Sequence, residues 1–114
     1  EAKYLIGDVK GKQCVVIDDM VDTAGTMCAA AAILKEHGAT KIYGAATHGI
    51  LSDPALERIE VSDFNKMIVT DTLPLPRKSR KITVLPIGQV LADAIAAVHS
   101  GESVSALFDG KNQS

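Results

Sequence analysis

The stretch Val15 to Thr26, VVIDDMVDTAGT, gathers the residue types best suited to chemistry. Asp18 and Asp19 are adjacent acids, and Asp22, Thr23, Ala24, Gly25 and Thr26 follow as a turn of small and polar residues. Ionised carboxylates only accept hydrogen bonds, which suits the vicinal hydroxyls of a sugar. The turn is suited to an anion. The opening N–H groups of a helix lack partners within it, and the macrodipole places partial positive charge there, so a phosphate docks well if no bulky side chain intervenes. Ala24 and Gly25 keep that approach clear, while Thr23 and Thr26 add hydroxyl donors. Each half also has an ordinary reading. Asp22 or Thr23 can be a plain N-cap, and Asp18 and Asp19 can be solvated acids at a strand end. Side by side, they point to a phosphorylated sugar, its phosphate in the turn and its hydroxyls on the acids.

The flanking segments must position this group. Val15, Val16 and Ile17 form a β-branched run that reads as a strand buried on both faces. Met27 to His37 is Ala-rich and free of Pro and Gly, so it predicts a helix, with Ala29 to Ala32 as a thin side towards a sheet and Gly38 as its stop. Strand, acids, turn and helix in that order place the acids where open α/β sheets bind ligands. Further strands are expected at Lys41–Thr47, Met67–Thr70 and Ile82–Leu85. A short helix is expected at Ala55–Glu60, with Ser52 or Asp53 as cap and Pro54 in its first position. A longer helix is introduced by Pro86 and runs to about Ser100. Its Ile87, Val90, Leu91, Ala94, Ile95 and Val98 recur at helical spacing and predict a core face. The fold class is therefore α/β, a mostly parallel sheet with flanking helices.

Three other groups invite a functional reading. His48 follows the second predicted strand and could act as a general acid or base, but a hydrogen bond to the neighbouring loop is the favoured reading. Asp71 and Thr72 stand where the third strand meets a loop, and a turn-forming role serves them as well as ligand contact. Leu73–Lys81 is dense in Arg and Lys, interrupted by Pro74 and Pro76, and reads chiefly as a solvated surface loop. Ser103, Val104 and Ser105 read as a short terminal strand or turn, and 109–114 as a frayed, flexible tail.

VVIDDMVDTAGT resembles the phosphoribosyl-binding loop of the type I phosphoribosyltransferase fold. With Asp22 ahead of Thr23-Ala24-Gly25-Thr26 it resembles the ribose-phosphate pyrophosphokinase (phosphoribosyl pyrophosphate synthetase) family in particular. The likeness continues through ATHGILSDPALERI (Ala46 to Ile59), IVTDTLPL (Ile68 to Leu75) and HSGESVSALF (His99 to Phe108). It implies transfer of the pyrophosphoryl group of ATP to the anomeric hydroxyl of ribose 5-phosphate, giving 5-phosphoribosyl 1-diphosphate and AMP, with Mg²⁺ bridging phosphate oxygens. It also implies that Asp22 to Thr26 hold the 5-phosphate and that Asp18 binds a ribose hydroxyl. Asp19 assists Asp18 or faces the metal-bound substrate; no metal ligand and no chemical base is assigned. Ser103, Ser105 and Phe108 match an allosteric phosphate or ADP site at a subunit contact of a homo-oligomer, a hexamer by the resemblance. On this likeness, residues 1–108 are the C-terminal portion of the family's second domain, and the basic catalytic loop lies upstream of Glu1. A sheet interrupted in that way exposes strand edge and apolar surface, and the chain alone is expected to be inactive. Two other members of the wider fold stay open: a non-catalytic regulatory subunit related to the synthetases, and a base-salvage phosphoribosyltransferase. A phospho-acceptor signalling domain also carries paired acids, but without the Thr23–Thr26 cradle beside them.

Composition excludes several classes. A length of 114 residues fits one domain, and a formal net charge of −2 without a basic run argues against nucleic acid as the main partner. No apolar run approaches a membrane span, and the first residues do not form a signal peptide. Cys14 and Cys28 fall in a predicted strand and helix and read as small buried hydrophobes, which makes the cytoplasm the natural compartment.

Overall fold

The computed structural model describes residues 5 and 7–108; the expected flexible tail, 109–114, lies outside the described residues. Four strands alternate with helices: β1 (Gln13–Val21), α1 (Gly25–Glu36), β2 (Lys41–Gly49), α2 (Ala55–Val61), β3 (Lys66–Thr70), β4 (Ile82–Leu85) and α3 (Gly88–Ser100). A short 3₁₀ turn, Val104–Phe108, follows. The sheet has the order β1-β2-β3-β4 and every neighbouring pair is parallel. Parallel pairing requires a crossover between strands; α1 and α2 supply the first two, and the loop Asp71–Lys81 supplies the third.

Strand alternation sends one set of side chains to the helical side. Ile42 and Ala46 on β2, Met67 and Val69 on β3, and Ile82 on β4 are buried with Met27 and Ala31 of α1 and Ala55, Leu56 and Ile59 of α2. Phe64 is the bulkiest fully buried side chain and closes the core below β2 and β3. Gly44 is required by this packing. A Cβ there would stand 2.6 Å from Met67 Cε and 3.1 Å from Phe64 Cε1.

The opposite face of the sheet is open, and here two expectations need correction. The run Val15–Ile17 is not buried on both faces: Val15 is exposed and Ile17 is 77% exposed, because no helix of the described residues lies on that side. β1 is also the sheet's edge, without a strand on its outer side among the described residues. The expected exposure of strand edge and apolar surface is therefore found.

The second correction concerns α3. Its Ile95 and Val98 are each 69% exposed, Val90 and Leu91 are exposed, and only Ala97 is buried. The helix packs on the 3₁₀ turn rather than on the sheet, so its apolar stripe is real but is not core. The Cα radius of gyration of 16.7 Å reflects this, exceeding the roughly 13 Å of a compact chain of this length. Smaller differences follow from backbone geometry. Pro54 is the N-cap of α2 rather than its first residue, and neither Ser52 nor Asp53 caps it by a side chain. Of the four alanines of α1, Ala31 alone is fully buried. Val104–Phe108 forms a 3₁₀ turn, the second of the two alternatives expected there.

Leu73–Lys81 is exposed yet strapped to α2. Arg77 pairs with Glu57, and Arg80 Nη2 lies 2.9 Å from Glu60 Oε1. Lys81 Nζ donates to the Ser62 carbonyl at 2.8 Å, and Leu75 packs against the core. The hydrogen bond from Arg77 holds the Glu57 carboxyl below the usual carboxylate range, and that from Arg80 does the same to Glu60. A lowered carboxylate pKa stabilises the folded chain at neutral pH, and the effect disappears as pH falls through the folded-state value. The double variant Glu57→Gln/Glu60→Gln should thus melt slightly below the parent at neutral pH. The two melting curves should converge as the solution is acidified below the carboxylate range.

Candidate phosphate and sugar site

The turn joining β1 to α1 is built by Ala24. It is the N-cap of α1, is buried, and takes the left-handed conformation at φ 68°, ψ 7°. That conformation costs an alanine about 1–2 kcal/mol, so the surrounding contacts must hold it. Two of them do. The Ala24 carbonyl accepts the Cys28 N–H at 3.0 Å, opening the helix, and the preceding Thr23 carbonyl accepts Arg58 Nη1 at 3.2 Å.

No side chain caps α1. The plain N-cap reading of Asp22 or Thr23 is therefore not realised, and among the described residues nothing in the chain accepts from the amides of Gly25, Thr26 or Met27. Asp22, Thr23, Gly25 and Thr26 are exposed around them. A cavity of about 200 Å³ opens there, lined by Asp18, Met20, Val21 and Asp22 through Met27. Unpaired amides, two hydroxyls and a small-residue approach thus converge on one space.

Asp18 belongs to that same lining, and its Oδ1 accepts the Asp19 N–H at 2.8 Å. The bond fixes one carboxylate oxygen and leaves the other available. Asp18 also lines a second cavity of about 220 Å³ on the open face of the sheet, with Ile17, Ala45 and Thr47. It is the hinge between a polar pocket and a more apolar groove. Asp19 is exposed beside it but lines neither cavity. Both acids lie inside β1, three and two residues before its last residue, Val21, rather than beyond its end.

The remaining candidates fall elsewhere. His48 is the penultimate residue of β2 rather than the residue after it, and it shares a 2.8 Å hydrogen bond between Nδ1 and Thr72 Oγ1, the loop contact favoured from sequence. Asp71 Oδ1 accepts the Ile87 N–H at 3.0 Å and so serves the chain before α3. Cys14 and Cys28 are free and half-buried, and burial pushes the Cys28 thiol up, as fits packing rather than nucleophilic use. The hydroxyls of Ser103 and Ser105 lie 2.8 Å apart. Phe108 helps line a separate cavity with Gln89, Val90, Asp93 and Leu107. No cluster of metal-ligating side chains occurs among the described residues. Nor is any helix among them long and apolar enough to cross a membrane.

Against known proteins, residues 3–109 match the family described as the phosphoribosyl synthetase-associated domain. The chain belongs to the phosphoribosyl synthetase-associated domain family. Ribose-phosphate pyrophosphokinase from Caldanaerobacter subterraneus subsp. tengcongensis is 48% identical over 110 residues, 95% of this chain and 35% of that protein. Ribose-phosphate pyrophosphokinase 1 from Lactococcus lactis subsp. lactis is 50% identical over 111 residues, 96% of this chain and 34% of that protein. The crystal structure of phosphoribosylpyrophosphate synthetase from Mycobacterium smegmatis superposes with a TM-score of 0.83 at 45% identity, over 86% of this chain and 34% of that one. This member of the family therefore spans about a third of the length of the curated relatives it matches. The α/β architecture expected from sequence is the one found.

Arg58 is the site residue that sequence reasoning missed. It lies 35 positions from Thr23, on a helix that reads only as a crossover, and no spacing rule links the two. The packing of α2 beside α1 brings them together.

The geometry of Ala24 yields a direct test. Ala24→Gly should leave stability within about 1 kcal/mol of the parent, because relief of the left-handed strain and the added chain entropy nearly cancel. Ala24→Val, β-branched in a buried left-handed position, should lose about 2 kcal/mol or more in urea denaturation. Equal behaviour of the two variants would contradict the turn as described.

Proposed function

We propose that this chain is the ribose-5-phosphate-binding portion of a ribose-phosphate pyrophosphokinase. The observation that carries the reading is the set of unoccupied α1 amides sharing one cavity with the Asp18 carboxylate. Phosphomonoester and hydroxyl recognition stand next to each other, as a sugar phosphate demands.

On this reading the amides of Gly25, Thr26 and Met27 and the hydroxyls of Thr23 and Thr26 bind the 5-phosphate. Asp22 opens that turn and lines the same cavity, completing the 5-phosphate-holding segment Asp22 to Thr26. Asp18 holds a ribose hydroxyl, and its bond to the Asp19 amide keeps the carboxylate oriented before substrate arrives. These residues bind and aim the acceptor. None of them is assigned to remove a proton, since phosphoryl-group transfer is governed by positioning and charge neutralisation. Asp18, on the cavity, presents only hard oxygen donors, which would suit Mg²⁺ held by one carboxylate together with substrate oxygens. When bound, Mg²⁺ supplies neutralisation of phosphate charge. The ATP site and its cations belong to the remaining two thirds of the enzyme and to a neighbouring subunit of a homo-oligomer. The chain is then the C-terminal part of the second domain, and its compartment is the cytoplasm. Ser103, Ser105 and Phe108, in the segment that follows α3, are the proposed phosphate or ADP regulatory site; the two hydroxyls are paired, while Phe108 lines a cavity with the first half of α3.

The deciding assay follows AMP chromatographically in the full-length enzyme supplied with ATP and ribose 5-phosphate. Formation of AMP is expected, together with no nucleotide product when a nucleobase and 5-phosphoribosyl 1-diphosphate are offered instead. Asp18→Asn should lower kcat/KM for ribose 5-phosphate about 10- to 100-fold, the loss of one hydrogen bond to a charged acceptor. Calorimetric titration of this chain alone should show weak ribose 5-phosphate binding and no turnover. Full activity from these residues by themselves would overturn the assignment of the ATP site elsewhere.

A further inference from the structure

We propose that Arg58 is a positioning residue for the phosphate turn, acting from behind it through the Thr23–Ala24 peptide. The inference rests on the proposed reading of that turn as a 5-phosphate site. Arg58 Nη1 donates to the Thr23 carbonyl at 3.2 Å. The same atom stands 3.2 Å from where a Cβ on Gly25 would be. The guanidinium thus sits against the backbone of the turn without lining the cavity itself.

The consequence follows from peptide geometry. Among the described residues the only cis bond is Asp53–Pro54, so the Thr23–Ala24 peptide is trans, and its carbonyl and N–H point in opposite directions. With the carbonyl held towards Arg58 and α2, the Ala24 N–H is turned away from α2. No residue of α2 lines the cavity and Ala24 does, so an N–H turned away from α2 is free to serve an anion held there. Ala24 thereby adds a fourth donor to the amides of Gly25, Thr26 and Met27. Consecutive N–H groups around a left-handed residue make an anion-binding concavity, and Ala24 is that residue. If the peptide flipped, the Thr23 carbonyl oxygen would face the anion instead. Arg58 prevents the flip and sets a permanent positive charge behind a pocket whose own ionisable side chains, Asp18 and Asp22, are acidic. A Cβ on Gly25 would press the guanidinium back by a few tenths of an ångström.

The test uses steady-state kinetics of the full-length enzyme with Arg58→Gln and Arg58→Lys, alongside the parent. Arg58→Gln should raise KM for ribose 5-phosphate about tenfold, the worth of one charge-assisted bond, while KM for ATP and kcat stay within about threefold. Arg58→Lys, which keeps the charge and one donor, should fall between the two. Arg58 is exposed, and melting temperatures will show whether the Gln variant folds; if it does not, the Lys variant is scored by the same KM comparison. Unchanged ribose 5-phosphate KM, or a fall in kcat with both KM values unchanged, would overturn the role of Arg58 and leave the site assignment standing. Absence of ribose 5-phosphate-dependent AMP formation in the parent enzyme would overturn the site assignment itself, and the role of Arg58 with it.

Discussion

A helix cannot satisfy its own first amides, and in this chain no side chain does so for α1. The rest of the structure is arranged around that vacancy of partners. Parallel pairing of β1 with β2, from Gln13 opposite Lys41 to Val21 opposite Gly49, holds the strand ends level. The core formed by Ile42, Met67, Val69 and Ile59 presses α1 and α2 onto the sheet. Val21 and Met27, both buried, pin the two ends of the intervening turn. Between those pins the opening amides of α1 are left without acceptors, and Asp18 and Asp22 are the carboxylates that line the same cavity.

The covered and uncovered surfaces tell a second story. On the helical side every large side chain of β2 and β3 that points inward is buried, while the other side exposes Val15, Ile17 and Leu85. A parallel sheet is ordinarily covered on both faces. The apolar stripe of α3 is likewise left to solvent. Relatives about three times as long have the material to cover both surfaces.

The strand-turn-helix unit was legible because each part carries its own local physics. A β-branched run favours a strand and an Ala-rich stretch free of Pro and Gly favours a helix, each without help from distant contacts, while the small residues between them permit a tight turn. The failures share a cause in the opposite direction. Periodicity shows that Leu91, Ile95 and Val98 form a stripe but not what covers it. The β-branched run at Val15 shows a strand but not how many of its faces are packed. The N-cap of α1 fell to Ala24, not to Asp22 or Thr23, because the left-handed turn is held by Arg58 and by the burial of Ala24, both tertiary effects. Arg58 itself reads as an ordinary helix-surface arginine until α2 is laid beside α1.

The central claim is that a phosphate occupies the opening amides of α1 while Asp18 engages the attached sugar. It is tested most directly by titrating ¹⁵N-labelled protein with ribose 5-phosphate, and in parallel with ribose and inorganic phosphate, and following the backbone amide resonances. The account predicts that ribose 5-phosphate moves the amides of Ala24, Gly25, Thr26 and Met27 together with that of Asp19, whose N–H rests on the Asp18 carboxylate. Inorganic phosphate should move the turn amides alone. Saturable shifts confined to other parts of the chain, with these amides unmoved, would contradict it.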